Sequence, residues 1–203
     1  MAQRGKKKNT WQDHYTRKAK KEQYPARSVY KLQEIQQKFK LLRPGQRVLD
    51  LGCAPGSWLM YAAKLVGVQG QVVGVDLKPL TGKLPANAVA HVGDVFDEAA
   101  DFWSRVNDPF DLVLSDMAPN TTGSGSVDAA RSFYLCEAAL AVARKRLVAG
   151  GGFVCKIFQG EEFEQLAGAV KDVFKQHKIF KPQSCRKASK EIYIIGMDFK
   201  KEA

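Results

Sequence analysis

Long apolar runs are missing from this 203-residue sequence, and with them the stretch of roughly 20 residues that a membrane-spanning helix requires. No apolar segment with a small-residue cleavage site follows Met1-Ala2-Gln3-Arg4-Gly5, so a secretory signal is not expected. Histidine and cysteine are scarce. His14, His91 and His177 show no metal-ligand spacing, and Cys53, Cys136, Cys155 and Cys185 stand far apart with no CxxC pair. We therefore expect no bound metal, no disulfide framework, reduced thiols and a cytoplasmic location. Neither a GxGxxG fingerprint nor a Tyr-x-x-x-Lys pair is present, which removes the usual marks of a nicotinamide-dependent oxidoreductase.

Acidic residues are the minority: 21 stand against 32 lysines and arginines, a formal net charge of +11. The excess is uneven. Residues 1–27 hold nine of the cations against only Asp13 and Glu22, so seven of the eleven net charges lie there. Such an excess attracts polyanions, whether nucleic acid or an acidic membrane surface, although a solvated terminus would also explain charge alone. Trp11, Tyr15 and Tyr24 interleave with Arg4, Lys6, Lys7, Lys8, Arg17, Lys18, Lys20 and Lys21, adding rings that can stack on bases and favouring nucleic acid. We expect a basic, flexible, RNA-contacting tail over residues 1–27 and a single domain over 28–203, a length that suits one core.

From Ser28, a candidate N-cap, Val29, Leu32, Ile35 and Phe39 fall near one helical face, and Pro44-Gly45 closes that segment. Thereafter apolar, β-branched runs at 47–51, 71–75, 88–91, 110–115, 152–157 and 192–199 alternate with helical patterns at 58–65, 97–106, 128–147 and 162–177. Alternation of this kind predicts a doubly wound α/β fold, with a mostly parallel sheet and helices on both faces. Ligands in such sheets sit outside the carboxyl ends of the strands, so the residues just after each strand are the ones to inspect.

After the first strand comes Asp50-Leu51-Gly52-Cys53-Ala54-Pro55-Gly56-Ser57-Trp58, a glycine turn that opens a helix, where backbone can approach a ligand and helix amides favour an anion. The second strand ends at Asp76, placed to accept hydrogen bonds from a ribose diol. Together they indicate an adenosine-type cofactor. The Gly52-x-x-x-Gly56 spacing is not that of a dinucleotide turn; it resembles the first motif of S-adenosylmethionine-dependent methyltransferases. In that superfamily an acid such as Asp94 contacts the adenine, although Asp94 is equally readable as an ordinary helix-start acid. Asp116, in Ser115-Asp116-Met117-Ala118-Pro119-Asn120, would face the reacting methyl. Neither the Asn/Asp-Pro-Pro-aromatic motif of amino-methylating relatives nor a Pro-Cys nucleophile is present, which leaves oxygen as the acceptor.

Five ordered segments then carry a more specific likeness: Ala26 to Leu32, Asp50 to Trp58, Ser115 to Asn120, Lys156-Ile157-Phe158-Gln159-Gly160 and Ser189-Lys190-Glu191-Ile192-Tyr193. They resemble the FtsJ/RrmJ (RlmE-type) family of ribosomal RNA large-subunit 2′-O-ribose methyltransferases. The resemblance implies a Rossmann-like S-adenosylmethionine-dependent methyltransferase fold, with a seven-stranded sheet whose last strand is antiparallel. It implies a catalytic tetrad of Lys31, Asp116, Lys156 and Glu191, and a cofactor site at Gly56, Trp58, Asp76, Asp94 and Asp116. Cys53 and Ser57 stand where the family more often carries Ala and Gly. The implied partner is a uridine ribose in 23S rRNA within the large ribosomal subunit, with the protein a monomer away from membranes. Arg27, Arg186, Lys187 and Lys190 are candidate phosphate contacts. A tRNA anticodon-loop methyltransferase and a non-enzymatic ribosome assembly factor are the alternatives.

Lys156 is the candidate proton acceptor. A free lysine is charged at neutral pH, so it would need burial or a neighbouring cation such as Lys31 to act as a base. Lys156 also ends the apolar run Phe153-Val154-Cys155, where an unpaired ammonium would be costly.

Overall fold

The computed structural model describes residues 10–97, 99–106, 109–186 and 188–201. Two helices come first, α1 (Thr10–Lys21) and α2 (Val29–Phe39), followed by β1 (Arg47–Leu51), α3 (Ser57–Val66), β2 (Gln71–Asp76) and β3 (Ala88–Val92). The second half runs α4 (Asp101–Ser104), β4 (Phe110–Ser115), α5 (Gly125–Arg146), β5 (Leu147–Phe158), α6 (Phe163–Val173), β6 (Phe174–Phe180) and β7 (Glu191–Phe199). The strands form one seven-stranded sheet in the order β3-β2-β1-β4-β5-β7-β6. Pairs among β1 to β5 are parallel, whereas β7 is antiparallel to both β5 and β6.

Strand residues alternate between two cores because successive side chains leave opposite faces of a pleated sheet. Leu49, Val73, Val113, Phe153, Cys155 and Ile194 pack with α4, α5 and α6 residues such as Phe102, Leu140 and Val170. Val48, Val72, Leu112, Leu114, Val154, Tyr193 and Ile195 pack on the other face with Leu32 and Ile35 of α2 and Leu59, Ala62 and Val66 of α3. Burial on both faces is why the central strands read as continuous apolar runs. The chain reverses its direction of strand addition between β1 and β4, and the crevice outside that point is where a ligand is expected.

Three segments depart from the sequence reading. The helical pattern over 162–177 divides, with α6 ending at Val173 and β6 beginning at Phe174. Lysine and glutamine in Phe174–Phe180 suit a helix locally, but antiparallel pairing with β7 overrides that preference and leaves the lysines on a solvated edge. The helix expected over 97–106 contracts to α4 among turns. The strand expected over 152–157 begins earlier, at Leu147, so that Gly150-Gly151-Gly152 lies inside β5, where pairing with β4 shifts register and Gly150 takes a φ of 79°.

The expected flexible tail over residues 1–27 contains α1. This helix buries Ala19 against Val29 and Tyr30, with the Tyr15 and Tyr30 ring centroids 5.2 Å apart and those of Tyr24 and Tyr61 6.5 Å apart. From Thr10 onward the segment is a docked arm whose tyrosines are engaged within the protein. Arg4, Lys6, Lys7, Lys8 and the side chain of Trp11 lie outside the described residues.

Candidate active site

Because β7 runs antiparallel to β5, its first residues stand beside the last ones of β5: Glu191 pairs with Phe158, and Tyr193 with Lys156. Paired residues share a face, as do residues two apart, so Lys156, Glu191 and Tyr193 all project toward α2. On that helix Leu32 and Ile35 enter the core, and Lys31, one position earlier, is turned toward the strand ends. Asp116 follows the last residue of β4. Four distant segments thus deliver four charged groups to one place.

Asp116 is the hub. Its Oδ1 lies 3.0 Å from Lys156 Nζ and 4.0 Å from Lys31 Nζ, and it accepts a 2.7 Å hydrogen bond from the Tyr193 hydroxyl. Lys156 Nζ also donates to the Asp116 carbonyl. Lys31 Nζ reaches Glu191 Oε1 at 2.8 Å. All four tetrad residues predicted from the sequence therefore converge. Their side chains are largely withdrawn from water, Lys156 being only 6% exposed, and removing charges from water costs several kcal/mol each unless they are paired. Here each cation has an anion, which keeps the charges tolerable and fixes their positions.

The electrostatics follow from that pairing. Burial pushes the Asp116 carboxyl up, but Lys156, Lys31 and the Tyr193 hydrogen bond outweigh it and hold the group below the usual carboxylate range. Burial likewise opposes charge on Lys31, yet Asp116 and Glu191 prevail and raise its pKa, so Lys31 stays an ammonium. The Tyr193 phenol is pushed well up, first by burial and then by the two carboxylates, and so remains a donor. Behind the glycine turn, fully buried Asp50 is raised by burial and by nearby Asp116 and Asp76.

On the other side of Asp116 opens a cleft of about 630 Å³ lined by Gly52, Asp76, Asp94, Met117, Asn120 and Tyr134 among others. Gly52 adopts a φ of +75°, and a Cβ there would stand 3.1 Å from the Met117 backbone, so only glycine lets the turn close against the β4 end. Asp76 Oδ2 accepts from the Ala54 amide at 2.9 Å and Oδ1 from the Lys78 amide at 2.8 Å, which locks the carboxylate at the strand tip. Asp94 is exposed and accepts from the Phe96 amide at 3.0 Å. Among the described residues no group of three or more His, Cys, Asp or Glu is placed to hold a metal. No helix of the described chain is long and apolar enough to cross a membrane.

Two predicted cofactor residues are placed differently from the rest. Trp58 does not line the cleft: its indole is 3% exposed, packs on Tyr193 at 5.8 Å between centroids and donates to the Ser28 carbonyl at 2.9 Å. Gly56, with a φ of 105°, precedes α3 and also lies off the cleft wall. Any contact from these two to a ligand would come through backbone at the start of α3, since the side chain of Trp58 faces the core. Ser28 makes no side-chain cap; its carbonyl is what is used. Arg27, expected to face RNA, donates to the Ser184 carbonyl at 2.7 Å and is partly buried. Lys187 lies outside the described residues. Tyr193 was not anticipated, although a phenol two residues beyond Glu191 on the same strand face is the signal that would have found it.

A family model described as FtsJ-like methyltransferase matches residues 24–199. A protein of Desulforapulum autotrophicum called ribosomal RNA large subunit methyltransferase E is 60% identical over 200 residues, covering 97% of this chain and 98% of that one. Its namesake from Desulfatibacillum aliphaticivorans is 56% identical, covering 97% and 95% respectively. Among solved structures, a ribosomal RNA methyltransferase of Plasmodium falciparum superposes with a TM-score of 0.77 at 24% identity, covering 87% of this chain and 98% of that one. Fibrillarin of Aeropyrum pernix, solved with natively bound S-adenosyl-L-methionine, superposes at 0.60 with 17% identity, covering 84% and 76%; both likenesses concern the fold. With a family match across nearly the whole described chain and the tetrad assembled as the resemblance implied, this protein belongs to the FtsJ-like methyltransferases.

Proposed function

We propose that this chain methylates the 2′-oxygen of a uridine ribose in large-subunit (23S) ribosomal RNA, using S-adenosylmethionine, and that it acts in the cytoplasm as a monomer on the assembled large subunit. One observation carries the chemistry: Asp116 is at once a wall of the cleft and the anion shared by Lys156 and Lys31. A donor in the cleft and a hydroxyl beside the lysines would meet at that residue. The substrate follows from relatives of near full length whose name is ribosomal RNA large subunit methyltransferase E.

The donor site is chemically suited to an adenosine-bearing sulfonium. Asp76 and Asp94 offer carboxylate oxygens to a ribose diol and an adenine amine, while Gly56 and Trp58 contribute backbone amides at a helix start, where an amino-acid carboxylate is favoured. When bound, the donor supplies a methyl group on positively charged sulfur, an electrophile that needs no further activation. The protein has to align an oxygen behind that methyl and remove one proton.

Lys31, held charged by Asp116 and Glu191, is unsuited to take a proton and instead positions the hydroxyl and Asp116. Lys156, whose Nζ is held 3.0 Å from Asp116 Oδ1, is the group placed to take up the hydroxyl proton as the oxygen is methylated. Asp116 remains ionised beside the reacting centre and orients Lys156 through its side chain and its carbonyl. Because the group modified is absent from DNA, RNA is the required polymer. Arg186 and Lys190, both exposed, supply phosphate contacts on the loop ahead of β7.

Incubation with methyl-labelled S-adenosylmethionine and either 50S-type subunits or bulk tRNA tests the assignment. Label is expected in the large-subunit RNA at one alkali-resistant uridine linkage. Label in tRNA alone would replace the substrate, and label on a base would overturn the 2′-oxygen.

A further inference from the structure

The helix that carries Lys31 is held to the rest of the domain by an unusual clasp. Ser57 is the first residue of α3 and is 2% exposed, but its hydroxyl does not serve its own helix. The Ala26 amide donates to Ser57 Oγ at 2.7 Å, and Ser57 Oγ donates back to the Ala26 carbonyl at 3.1 Å. One residue further on, Trp58 Nε1 donates to the Ser28 carbonyl at 2.9 Å. Both backbone groups of Ala26 and the carbonyl of Ser28 are thus satisfied by the donor-binding turn. The start of α2 has no side-chain cap of its own; these three bonds tie it to α3, beside the Arg27 bond to the Ser184 carbonyl and the packing of Val29 and Tyr30 on α1.

Lys31 lies three residues into α2, within one turn of the clasp, and its position is tightly demanded at the other end. It meets Glu191 at 2.8 Å and Asp116 at 4.0 Å. A shift of the first turn by an ångström would break the first contact and lengthen the second. We propose that Ser57, assisted by the Trp58 indole, is a positioning residue: it ties the turn that receives the methyl donor to the helix that supplies Lys31. Its effect on methyl transfer passes through Lys31, and the inference rests on the catalytic role proposed for that lysine.

The clasp runs one way: the turn Gly52 to Trp58, fixed by the sheet and by Asp76, serves as the anchor, and the segment Ala26 to Lys31 is what hangs from it through Ser57. The hydroxyl's single proton is already given to the Ala26 carbonyl and the group is screened from water, so it has no hydrogen left to offer the donor.

A double-mutant cycle on the full chain tests this, with kcat and the KM for S-adenosylmethionine measured for Ser57→Ala, Lys31→Met and the pair, alongside thermal melting of each. Ser57→Ala is expected to lower kcat about tenfold with donor KM nearly unchanged, the size of losing one or two buried hydrogen bonds. In the Lys31→Met background the same change should cost less than about twofold. Trp58→Phe, which removes the indole donor and keeps an aromatic ring, though a smaller one, should show the same pattern to a smaller degree and stands in if Ser57→Ala melts below assay temperature. Equal losses in both backgrounds, or a rise in donor KM at constant kcat, would overturn the proposal. If Lys31→Met alone left kcat intact, it is the catalytic reading of Lys31 that would fall, a result distinct from additivity.

Discussion

The two ends of the reaction cleft are built on different principles. At the donor end, Asp76 and Asp94 are anchored by amides of neighbouring loop residues, Ala54, Lys78 and Phe96, and lie partly open to solvent. At the acceptor end no member is anchored by its neighbours in sequence. Lys31, Asp116, Lys156 and Glu191 hold one another, with Tyr193 bonded to Asp116, and are largely withdrawn from water. The donor end is therefore a set of independent contacts that should act additively on affinity, whereas the acceptor end is one coupled network in which a single loss disturbs the rest.

That contrast can be broken most decisively at Lys156. Replacing it with alanine removes the proposed proton acceptor and leaves Asp116 with Lys31 as its remaining near cation, so turnover should drop by about 100-fold to 10,000-fold. Donor affinity, measured by calorimetry, should stay within about threefold, because Lys156 is no part of the cleft wall. Turnover near that of the parent would remove Lys156 from the mechanism.

The converse experiment is Asp76→Ala. Loss of a charged hydrogen-bond acceptor for the ribose should raise donor KM by about 10-fold to 100-fold, while kcat at saturating donor remains close to that of the parent. A collapse of kcat with unchanged KM would show that the donor end is as tightly coupled as the acceptor end.

Smallest in effect, and aimed at the coupling itself, is Tyr193→Phe. The 2.7 Å bond to Asp116 is lost without loss of the ring, and kcat should fall by about tenfold or less. A second readout is stability against pH. Asp116 is depressed in the folded state, so its contribution is complete above the ordinary carboxylate value of about 3.9 and disappears as pH falls through its lower folded value. Removing a hydrogen bond that lowers this pKa narrows the window, and urea unfolding between those limits should show a shallower decline than in the parent. An unchanged acid profile would mean that the phenol does not steer Asp116.

The same division explains what could be seen in the amino-acid order. The proposed donor end is written in contiguous turns, Gly52 to Gly56 after β1 and single acids after β2 and β3, so its candidates stand out from local pattern. What that pattern does not show is the direction of the Trp58 indole, which turns inward because α3 covers the sheet with that face. At the acceptor end, Lys31 and Glu191 look like ordinary surface charges when taken singly. Only the resemblance brought them together, because no periodicity reports a contact between positions 160 residues apart. The parallel strands were recognisable from their doubly buried runs, while β6 was not, since an edge strand with lysine and glutamine on its open side imitates a helix end. The arm at Thr10–Lys21 was hidden by its charge, which masks the apolar patch around Ala19.

The position of β7 has a bearing on biogenesis. It is the last strand in chain order, yet it lies between two earlier ones, β5 and β6, which cannot close against each other before it arrives. Insertion of that strand also brings in Glu191 and Tyr193. Closing the sheet and bringing these two side chains beside Lys156 are consequently one step of the fold.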